Sequence, residues 1–227
     1  LWKPFVAAES ELDDKVYYLS ELKSKFLLVL LGEAGIGKSH ALNTEHGIGV
    51  KNNVPSVFID LGKVTSSEDI FAPIFDQAQT LSTSQNTNDA LHIYCDAFDE
   101  IALEKTSVLG WLAKAINELP SDLRESNRVR LLISARPVAW EAAHTDTLKS
   151  ALKIDAKYEV QYVLQPLTEC DVETALGQDK YENVPSNLKE LLRRPIFLTL
   201  YIEAASEDDT DTSVADLYEQ FVRHRIY

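Results

Sequence analysis

Short apolar runs alternate with helical patterns along the first part of the chain. Five of these runs have the length of a β-strand, and they cover residues 26–31, 54–61, 90–95, 129–134 and 158–164. The first run is continuously apolar, as expected for a strand buried on both faces, whereas the last alternates, which predicts a strand at a sheet edge. Apolar residues between the runs recur at helical spacing, for example over 108–119. This alternation predicts an α/β protein with a parallel five-stranded sheet flanked by helices.

The pattern changes after residue 165, where only helices are predicted. Thr168 and Asp171 form a capping-box pattern that begins one helix, and Gly177 can end that helix. Further helices are predicted over residues 186–193, 196–205 and 214–226.

These patterns divide the chain into three stretches. Residues 18–165 are expected to form an α/β domain, residues 166–227 a small helical domain, and residues 1–17 an N-terminal linker or helix. A length of 227 residues suits one α/β domain with a short appendage. No apolar run approaches the roughly 20 residues that a transmembrane helix needs, so no membrane association is expected.

The loop after the first predicted strand reads Gly-Glu-Ala-Gly-Ile-Gly-Lys-Ser, which matches the G-x-x-x-x-G-K-[ST] pattern of a phosphate-binding loop. Its glycines permit backbone angles and close approaches that a Cβ atom would block, so that successive N–H groups can point at a phosphate. The following helix N-terminus adds positive potential. The residues expected around a bound nucleotide are Gly32, Glu33, Ala34, Gly35, Ile36, Gly37, Lys38, Ser39 and His40.

Two side chains of this loop have distinct expected roles. Lys38 is expected to reach the β- and γ-phosphates, and the Ser39 hydroxyl to ligate Mg²⁺. His40 lies in the first helical turn, where its backbone N–H is expected to contact the α-phosphate. The chain contains no Asn/Thr-Lys-x-Asp sequence that reads a guanine base. ATP or ADP is therefore the expected ligand.

A second motif, Asp-Ala-Phe-Asp-Glu, ends the third predicted strand. A phosphate loop needs an acidic partner on a neighbouring strand to hold Mg²⁺ and to activate water. Asp96, the first acid, is expected to contact the Mg²⁺ shell. Asp99 and Glu100 lie just beyond it, near the attacking water. We favour Glu100 as the general base and Asp99 as the residue that orients the reacting groups.

An arginine follows the fourth predicted strand, in the sequence Ser-Ala-Arg-Pro. The carboxyl ends of strands face the ligand crevice in open α/β sheets. Arg136 can therefore sense a γ-phosphate or stabilise charge during hydrolysis. A surface position or a local salt bridge is the other interpretation of this residue.

Charge and cysteine content narrow the possible partners. The chain has 36 acidic and 22 basic residues, a net charge of −14, which argues against direct nucleic-acid binding by this segment. The two cysteines, Cys95 and Cys170, do not form a disulfide framework, so a reduced, cytoplasmic setting is expected.

Together these motifs resemble the NACHT-type branch of the STAND class of P-loop NTPases, over roughly residues 18–227. In that branch the Mg²⁺-site aspartate (Walker B) is followed by a small residue, an apolar residue and two acids, as in residues 96–100 here. The resemblance places the family's sensor arginine at Arg136. It places the helical-domain proline that lies near the nucleotide base at Pro195.

The resemblance implies a nucleotide-driven switch. ADP would hold a closed, inactive state, and ATP together with a protein trigger would permit an open state that forms a homo-oligomer and activates an effector. ATP hydrolysis in such a module is slow. Relatives of this kind act in innate immunity of animals and plants and in bacterial antiviral defence, where they include antiphage sensors of the Avs type.

Two other functions remain open at this stage. The first is an AAA-like motor or remodelling ATPase, which needs an arginine finger acting across a ring. Its candidates are Arg124, Arg128 and Arg130, although clustered charges of this kind are more often a solvated helix end. The second is a nucleotide-binding scaffold without catalysis, against which the intact Lys38 and Glu100 argue.

Overall fold

The computed structural model describes residues 5–8, 16–22, 24–83, 89–125 and 127–205, with the single positions 215, 219 and 223. Its strands are β1 (Phe5–Ala8), β2 (Val16–Tyr18), β3 (Leu27–Leu31), β4 (Ser56–Asp60), β5 (Leu91–Asp96), β6 (Val129–Ala135) and β7 (Gln161–Leu164). Its helices are α1 (Lys38–Lys51), α2 (Glu68–Thr83), α3 (Lys105–Glu118), α4 (Ser121–Glu125), α5 (Ala142–Ala151), α6 (Glu169–Leu176), α7 (Gln178–Asn183), α8 (Ser186–Leu192) and α9 (Pro195–Ala205). The helix predicted over 214–226 lies outside the described residues apart from those single positions.

The sheet contains the five parallel strands that the alternation of apolar runs and helical patterns predicts. Within the described residues the strand order is β2-β1-β7-β3-β6-β5-β4. All pairings from β7 to β4 are parallel. The five parallel strands stand in the order fifth, first, fourth, third and second along the chain, which is the ASCE-type arrangement of a P-loop NTPase. The predicted α/β fold class is confirmed.

Two expectations about the sheet edge are wrong. Strand β7 is not at an edge, because β1 pairs with it antiparallel and β2 pairs with β1. The segment expected to be a linker or helix therefore contributes strands at 5–8 and 16–18. The alternating pattern of β7 reflects a sheet face that is only half-buried, and that pattern carries no information about which strand lies alongside.

Helices cover both faces of the sheet. All five residues of β3 are buried, and their side chains alternate between two core clusters. Leu27, Val29 and Leu31 pack on the face covered by α2, α3 and α5, while Leu28 and Leu30 pack on the face covered by α1. Because helices cover both faces of the sheet, a ligand is expected to bind at the carboxyl ends of the strands.

Helices α6 to α9 form a helical unit with an apolar core of its own, built around Val172, Leu188 and Phe197. Thr168 and Asp171 form the predicted capping box, and Gly177, with φ of +83°, ends α6 as expected. The segment before α6 is tied to the turn between α8 and α9, since Leu167 N donates to Arg193 O at 2.8 Å. The helical unit is thus held together independently of the sheet.

The structure also describes both cysteines and the lengths of the helices. Cys95 is buried and Cys170 is exposed, and both are free thiols, as predicted. In the part of the chain that the structure describes, no helix has the length and apolar character needed to cross a bilayer.

Candidate nucleotide-binding site

A cavity of about 700 Å³ lies at the carboxyl ends of the parallel strands. The loop between β3 and α1 and the ends of β5 and β6 form one wall, which we call the sheet wall. Helices α6 and α9 form the opposite side, which we call the helical wall. The volume falls within the range of about 300–1,000 Å³ that is usual for small-molecule and cofactor sites.

The loop after β3 has the backbone geometry that its glycines predict. Gly35 and Gly37 have φ of +77° and +101°, in the left-handed region where a Cβ atom is unfavourable. Gly37 also directly precedes α1, so the loop leads into a helix N-terminus. A Cβ atom at Gly32 would lie 2.8 Å from the Cγ2 atom of Ile36, which explains why position 32 is also a glycine.

The predicted loop residues divide into two groups. Ala34, Gly35, Gly37, Lys38, Ser39 and His40 line the cavity. Ile36 is 4% exposed, because its side chain packs below the loop with the core cluster under α1. Gly32 is buried at the end of β3, and Glu33 is exposed. Ile36, Gly32 and Glu33 are thus outside the lining of the cavity.

Lys38 folds its side chain back over this loop. Its Nζ atom donates to Gly32 O at 2.6 Å and to Glu33 O at 3.1 Å. Desolvation by burial lowers the pKa of Lys38, while the nearby carboxylates of Asp99 and Asp96 act in the opposite direction. The ammonium group therefore faces the loop on one side and the acids of the sheet wall on the other.

Asp96 ends β5 and is only 7% exposed. The hydroxyl of Ser134, on the neighbouring strand β6, donates a short hydrogen bond to Asp96 Oδ1. Ser134 Oγ in turn accepts from Ala97 N at 3.1 Å. Ser134 thus fixes both the carboxylate and the first residue of the turn that follows it. We did not predict this role for Ser134.

Asp99 and Arg136 form an ion pair at the cavity. Arg136 Nε lies 2.6 Å from Asp99 Oδ2, and Arg136 N donates to Asp99 Oδ1 at 3.2 Å. Both oxygens of Asp99 thus contact Arg136, and the side chain is 9% exposed, so little of it faces solvent. The salt-bridge interpretation of Arg136 and its position at the crevice are therefore both observed.

Glu100 stands at the rim of the same turn and is exposed. It lies beside the turn that follows β4, where a Cβ atom on Gly62 would be 3.3 Å from the Cβ atom of Glu100. Asp60 shapes that turn by accepting from Gly62 N at 3.1 Å. Within the part of the chain that the structure describes, Asp99 has an ion pair at the cavity and Glu100 has none.

The oxygen donors at the cavity suit Mg²⁺. Ser39 lies in the first turn of α1, and Asp96 lies at the adjacent strand end; both line the cavity. Mg²⁺ prefers one or two carboxylates together with waters and substrate phosphates over a complete protein cage. The described residues contain no cluster of three or more His, Cys, Asp or Glu side chains that could hold a metal by themselves.

The helical wall presents mainly apolar groups and two threonines. Its lining residues are Leu167, Asp171, Thr174, Ala175, Pro195, Ile196, Leu198, Thr199 and Ile202. Pro195, the one member that we predicted, begins α9 and lines the cavity, and its place beside a nucleotide base stays a prediction. Asp171 is tied into the capping box through Thr168. The wall therefore offers a largely uncharged surface opposite the polar sheet wall.

The helical wall touches the phosphate loop directly. Ile196 N donates to Gly35 O at 3.4 Å. A Cβ atom added to Gly35 would come within 2.4 Å of the Cγ2 atom of Ile196. Gly35 thus has a second reason to be glycine, which is the close approach of α9.

The three arginines considered for an arginine finger lie near the opposite end of β6. Arg124 Nε donates to Leu119 O at 2.9 Å, and Arg128 Nε donates to Asp89 O at 2.7 Å. The guanidinium of Arg130 lies 4.5 Å from the centroid of the Phe26 ring. Each of the three therefore has a local contact in this chain.

Comparisons with known proteins give a fold-level likeness. No protein-family model and no curated protein matches the chain. The chain is similar to a Walker-type ATPase of Pyrococcus abyssi, PABY2304, with 13% identity and a TM-score of 0.48, over 91% of this chain and 69% of that one. It is also similar to the ORC2 protein of Aeropyrum pernix, solved as ADPNP–ADP complexes, with 14% identity and a TM-score of 0.48, over 88% of this chain and 62% of that one.

The chain's own strand order and site define its class. A parallel sheet in the ASCE order, a glycine-rich phosphate loop after β3 and a buried carboxylate after β5 are the defining parts of a P-loop NTPase. The chain has the P-loop NTPase fold, and its helical unit closes one side of the candidate nucleotide site.

Proposed function

We propose that the chain is the nucleotide-dependent switch module of a STAND-class, NACHT-type protein. It binds ATP or ADP with Mg²⁺, hydrolyses ATP slowly, and controls the assembly of a homo-oligomer that activates an effector in antiviral defence or innate immunity. The observation that carries this proposal is the contact of Ile196 with Gly35, because it joins a separate helical unit to the loop that holds the phosphates.

Binding begins with the phosphates. The loop N–H groups and the N-terminus of α1 receive the negative charge, and Lys38 moves from its loop carbonyls to the β- and γ-phosphates. Ser39 and Asp96 would hold Mg²⁺, which supplies charge neutralisation at the β- and γ-phosphates. Pro195 and the other apolar residues of the helical wall receive the base and sugar at the other end of the cavity.

Hydrolysis depends on the turn after β5. Glu100 accepts a proton from the attacking water, since Asp99 is engaged with Arg136. Asp99 orients Arg136, and Arg136 stabilises or senses the charge of the γ-phosphate.

Switching follows from the two walls. ADP, bound between them, keeps the helical unit against the phosphate loop. A γ-phosphate changes the surroundings of Arg136 and Lys38, and together with a protein trigger it favours a state in which the helical unit leaves the loop. A ligand shifts such an equilibrium only by its differential affinity for the two states, and the γ-phosphate is the group that distinguishes ATP from ADP.

The nucleotide that copurifies with the protein tests this proposal. Acid should release about one ADP per chain from the freshly purified protein, because a closed switch retains its product. A site that is empty after purification and turns over added ATP rapidly would contradict the switch.

An AAA-like motor or remodelling ATPase is the alternative, since the same cavity between a sheet and a helical unit suits it. Such an enzyme requires an arginine from a neighbouring subunit, and its ATPase rate per chain rises with protein concentration as subunits meet. Arg124, Arg128 and Arg130 would be the candidates for that arginine, and each has a local contact in this chain. A rate per chain that is constant with concentration, measured without a trigger, is the result expected for the switch.

A further inference from the structure

Three aromatic side chains pack together behind the turn that carries Asp99 and Glu100. The ring centroids of Phe98 and Trp140 are 4.8 Å apart, those of Phe98 and His144 5.1 Å, and those of Trp140 and His144 5.4 Å. Phe98 is 0% exposed, Trp140 8% and His144 6%. We call Phe98, Trp140 and His144 the aromatic cluster.

Hydrogen bonds fix two of the three rings. Trp140 Nε1 donates to Thr145 Oγ1 at 2.9 Å. His144 Nδ1 accepts from Glu141 N at 3.0 Å, as part of the cap of α5. Burial lowers the pKa of His144, so the ring is neutral at pH 7 and can act as this acceptor. Phe98 therefore packs against rings whose positions are set by α5.

The turn beside the cluster needs an anchor. Ala97, between Asp96 and Phe98, has φ of +59°, which is uncommon for a residue with a Cβ atom. This conformation reverses the chain, so that Phe98 points into the core while Asp99 and Glu100 stay at the cavity. The packing of Phe98 determines where the next two carboxylates lie.

The cluster also connects two parts of the site. Arg136 and Trp140 belong to one short segment that leaves β6, and the segment touches the turn twice. Its first contact is the Arg136–Asp99 ion pair, and its second is the Trp140–Phe98 contact. The segment that carries Arg136 and the turn that carries Glu100 are therefore in contact at two points.

We propose that Phe98, Trp140 and His144 are positioning residues for ATP hydrolysis, which fix the Glu100 carboxylate relative to Arg136. This inference rests on the proposed ATPase function. It differs from a purely structural role in its kinetic consequence. A contact that serves only the core changes stability alone, whereas a positioning contact changes the hydrolysis rate in the folded protein and leaves nucleotide affinity unchanged.

Two substitutions of Trp140 and one control separate these roles. Trp140→Leu removes the ring, and Trp140→Phe keeps a ring against Phe98 but removes the hydrogen bond to Thr145. Trp111→Leu removes a half-buried tryptophan of α3 that packs on the main core away from the cavity. Each variant is first checked for cooperative thermal unfolding and ADP affinity, and its single-turnover ATP hydrolysis is then measured.

His144→Gln provides a variant with a smaller volume change. Glutamine at this third position of the helix can still accept from Glu141 N, as in a capping box, but it removes the ring from the cluster. This variant separates the ring contact from the helix cap, and it keeps the test available if Trp140→Leu does not fold.

We expect Trp140→Leu and His144→Gln to slow the single-turnover step by about tenfold to a hundredfold, with ADP and ATP affinity within about twofold of the unsubstituted protein. Trp140→Phe should recover most of that loss, and Trp111→Leu should hydrolyse ATP at the normal rate. Equal hydrolysis rates in all folded variants would overturn the positioning role while leaving the ATPase intact. Binding without hydrolysis in the unsubstituted protein would overturn the ATPase proposal, and this inference with it.

Discussion

The two walls of the cavity are built in different ways. The sheet wall uses eight consecutive loop residues, 32–39, and the ends of two neighbouring strands. The helical wall is assembled from residues that follow the loop by more than a hundred positions, and it has a separate core. In the proposed nucleotide site, backbone geometry within a short segment would recognise phosphate, whereas tertiary packing forms the surface that would close over the remaining nucleotide.

This difference has a consequence for motion. The sheet wall is supported by core clusters on both faces of the sheet. The helical wall has an apolar core of its own and touches the phosphate loop through Ile196, so in the proposed switch it would move as a unit. We therefore expect changes in the sheet wall to affect chemistry and phosphate binding, and changes in the helical wall to affect closure.

The largest expected effect comes from Glu100→Gln. Loss of the general base should slow hydrolysis by about 10²–10⁴-fold while ATP binding is retained. Single-turnover hydrolysis and ATP titration measure the two effects, with Glu118→Gln, a surface acid of α3, as the matched control. Unchanged turnover would move the base to Asp99 or another group.

Lys38→Ala should have the next largest effect. It removes a charged donor to the β- and γ-phosphates, and we expect nucleotide affinity to fall about a hundredfold or more. Calorimetric titration with ATP and ADP measures the loss. Lys51→Ala, at the exposed far end of the same helix, is the control and should bind normally. Equal affinities in the Lys38 variant and the unsubstituted protein would exclude the phosphate-loop interpretation.

Arg136→Ala should discriminate between the two nucleotides. Only ATP carries the γ-phosphate, so ATP affinity should fall about tenfold or more while ADP affinity stays within about twofold. ADP is thus the internal control of this experiment. An equal loss for both nucleotides would remove the sensor role and leave the ion pair with Asp99 as a structural contact.

A double-mutant cycle between Gly35 and Ile196 addresses the contact between the walls. Gly35→Ala should strain the loop and also force Ile196 away, because the added Cβ atom meets Ile196 Cγ2. Ile196→Ala removes that methyl group, so the double variant should recover the part of the ADP affinity that the collision cost. We expect a coupling of about 1 kcal/mol. Additive effects would show that the walls bind ADP independently.

The local features of the chain were predictable from its sequence. The five parallel strands and the capping box at Thr168 depend on nearby residues, and the structure confirms them. The antiparallel neighbour of β7 was not predictable, because pairing between distant segments leaves no local pattern. The phosphate-loop motif made an unusual backbone angle at Gly35 predictable, but the contact of Gly35 with Ile196 was not predictable.

Ser134 left a signal in the sequence, whereas the aromatic cluster did not. Ser134 is a polar residue at the end of an otherwise apolar strand, and this was a usable signal for a role beside Asp96. Phe98 is separated from Trp140 and His144 by about forty residues of chain, and it packs against them because β5 and β6 are adjacent. Their relation to Glu100 required the sheet order to be known.

The distance between the two walls in different nucleotide states tests the account most directly. Cys170 is exposed on α6, Cys95 is fully buried, and Lys114 is an exposed position of α3, so labels at Cys170 and at Lys114→Cys report on the helical unit relative to the sheet. A nucleotide-dependent switch should give one narrow distance distribution with ADP and an added, different distance in the Glu100→Gln variant with ATP. Identical distributions in both states would contradict a nucleotide-dependent switch.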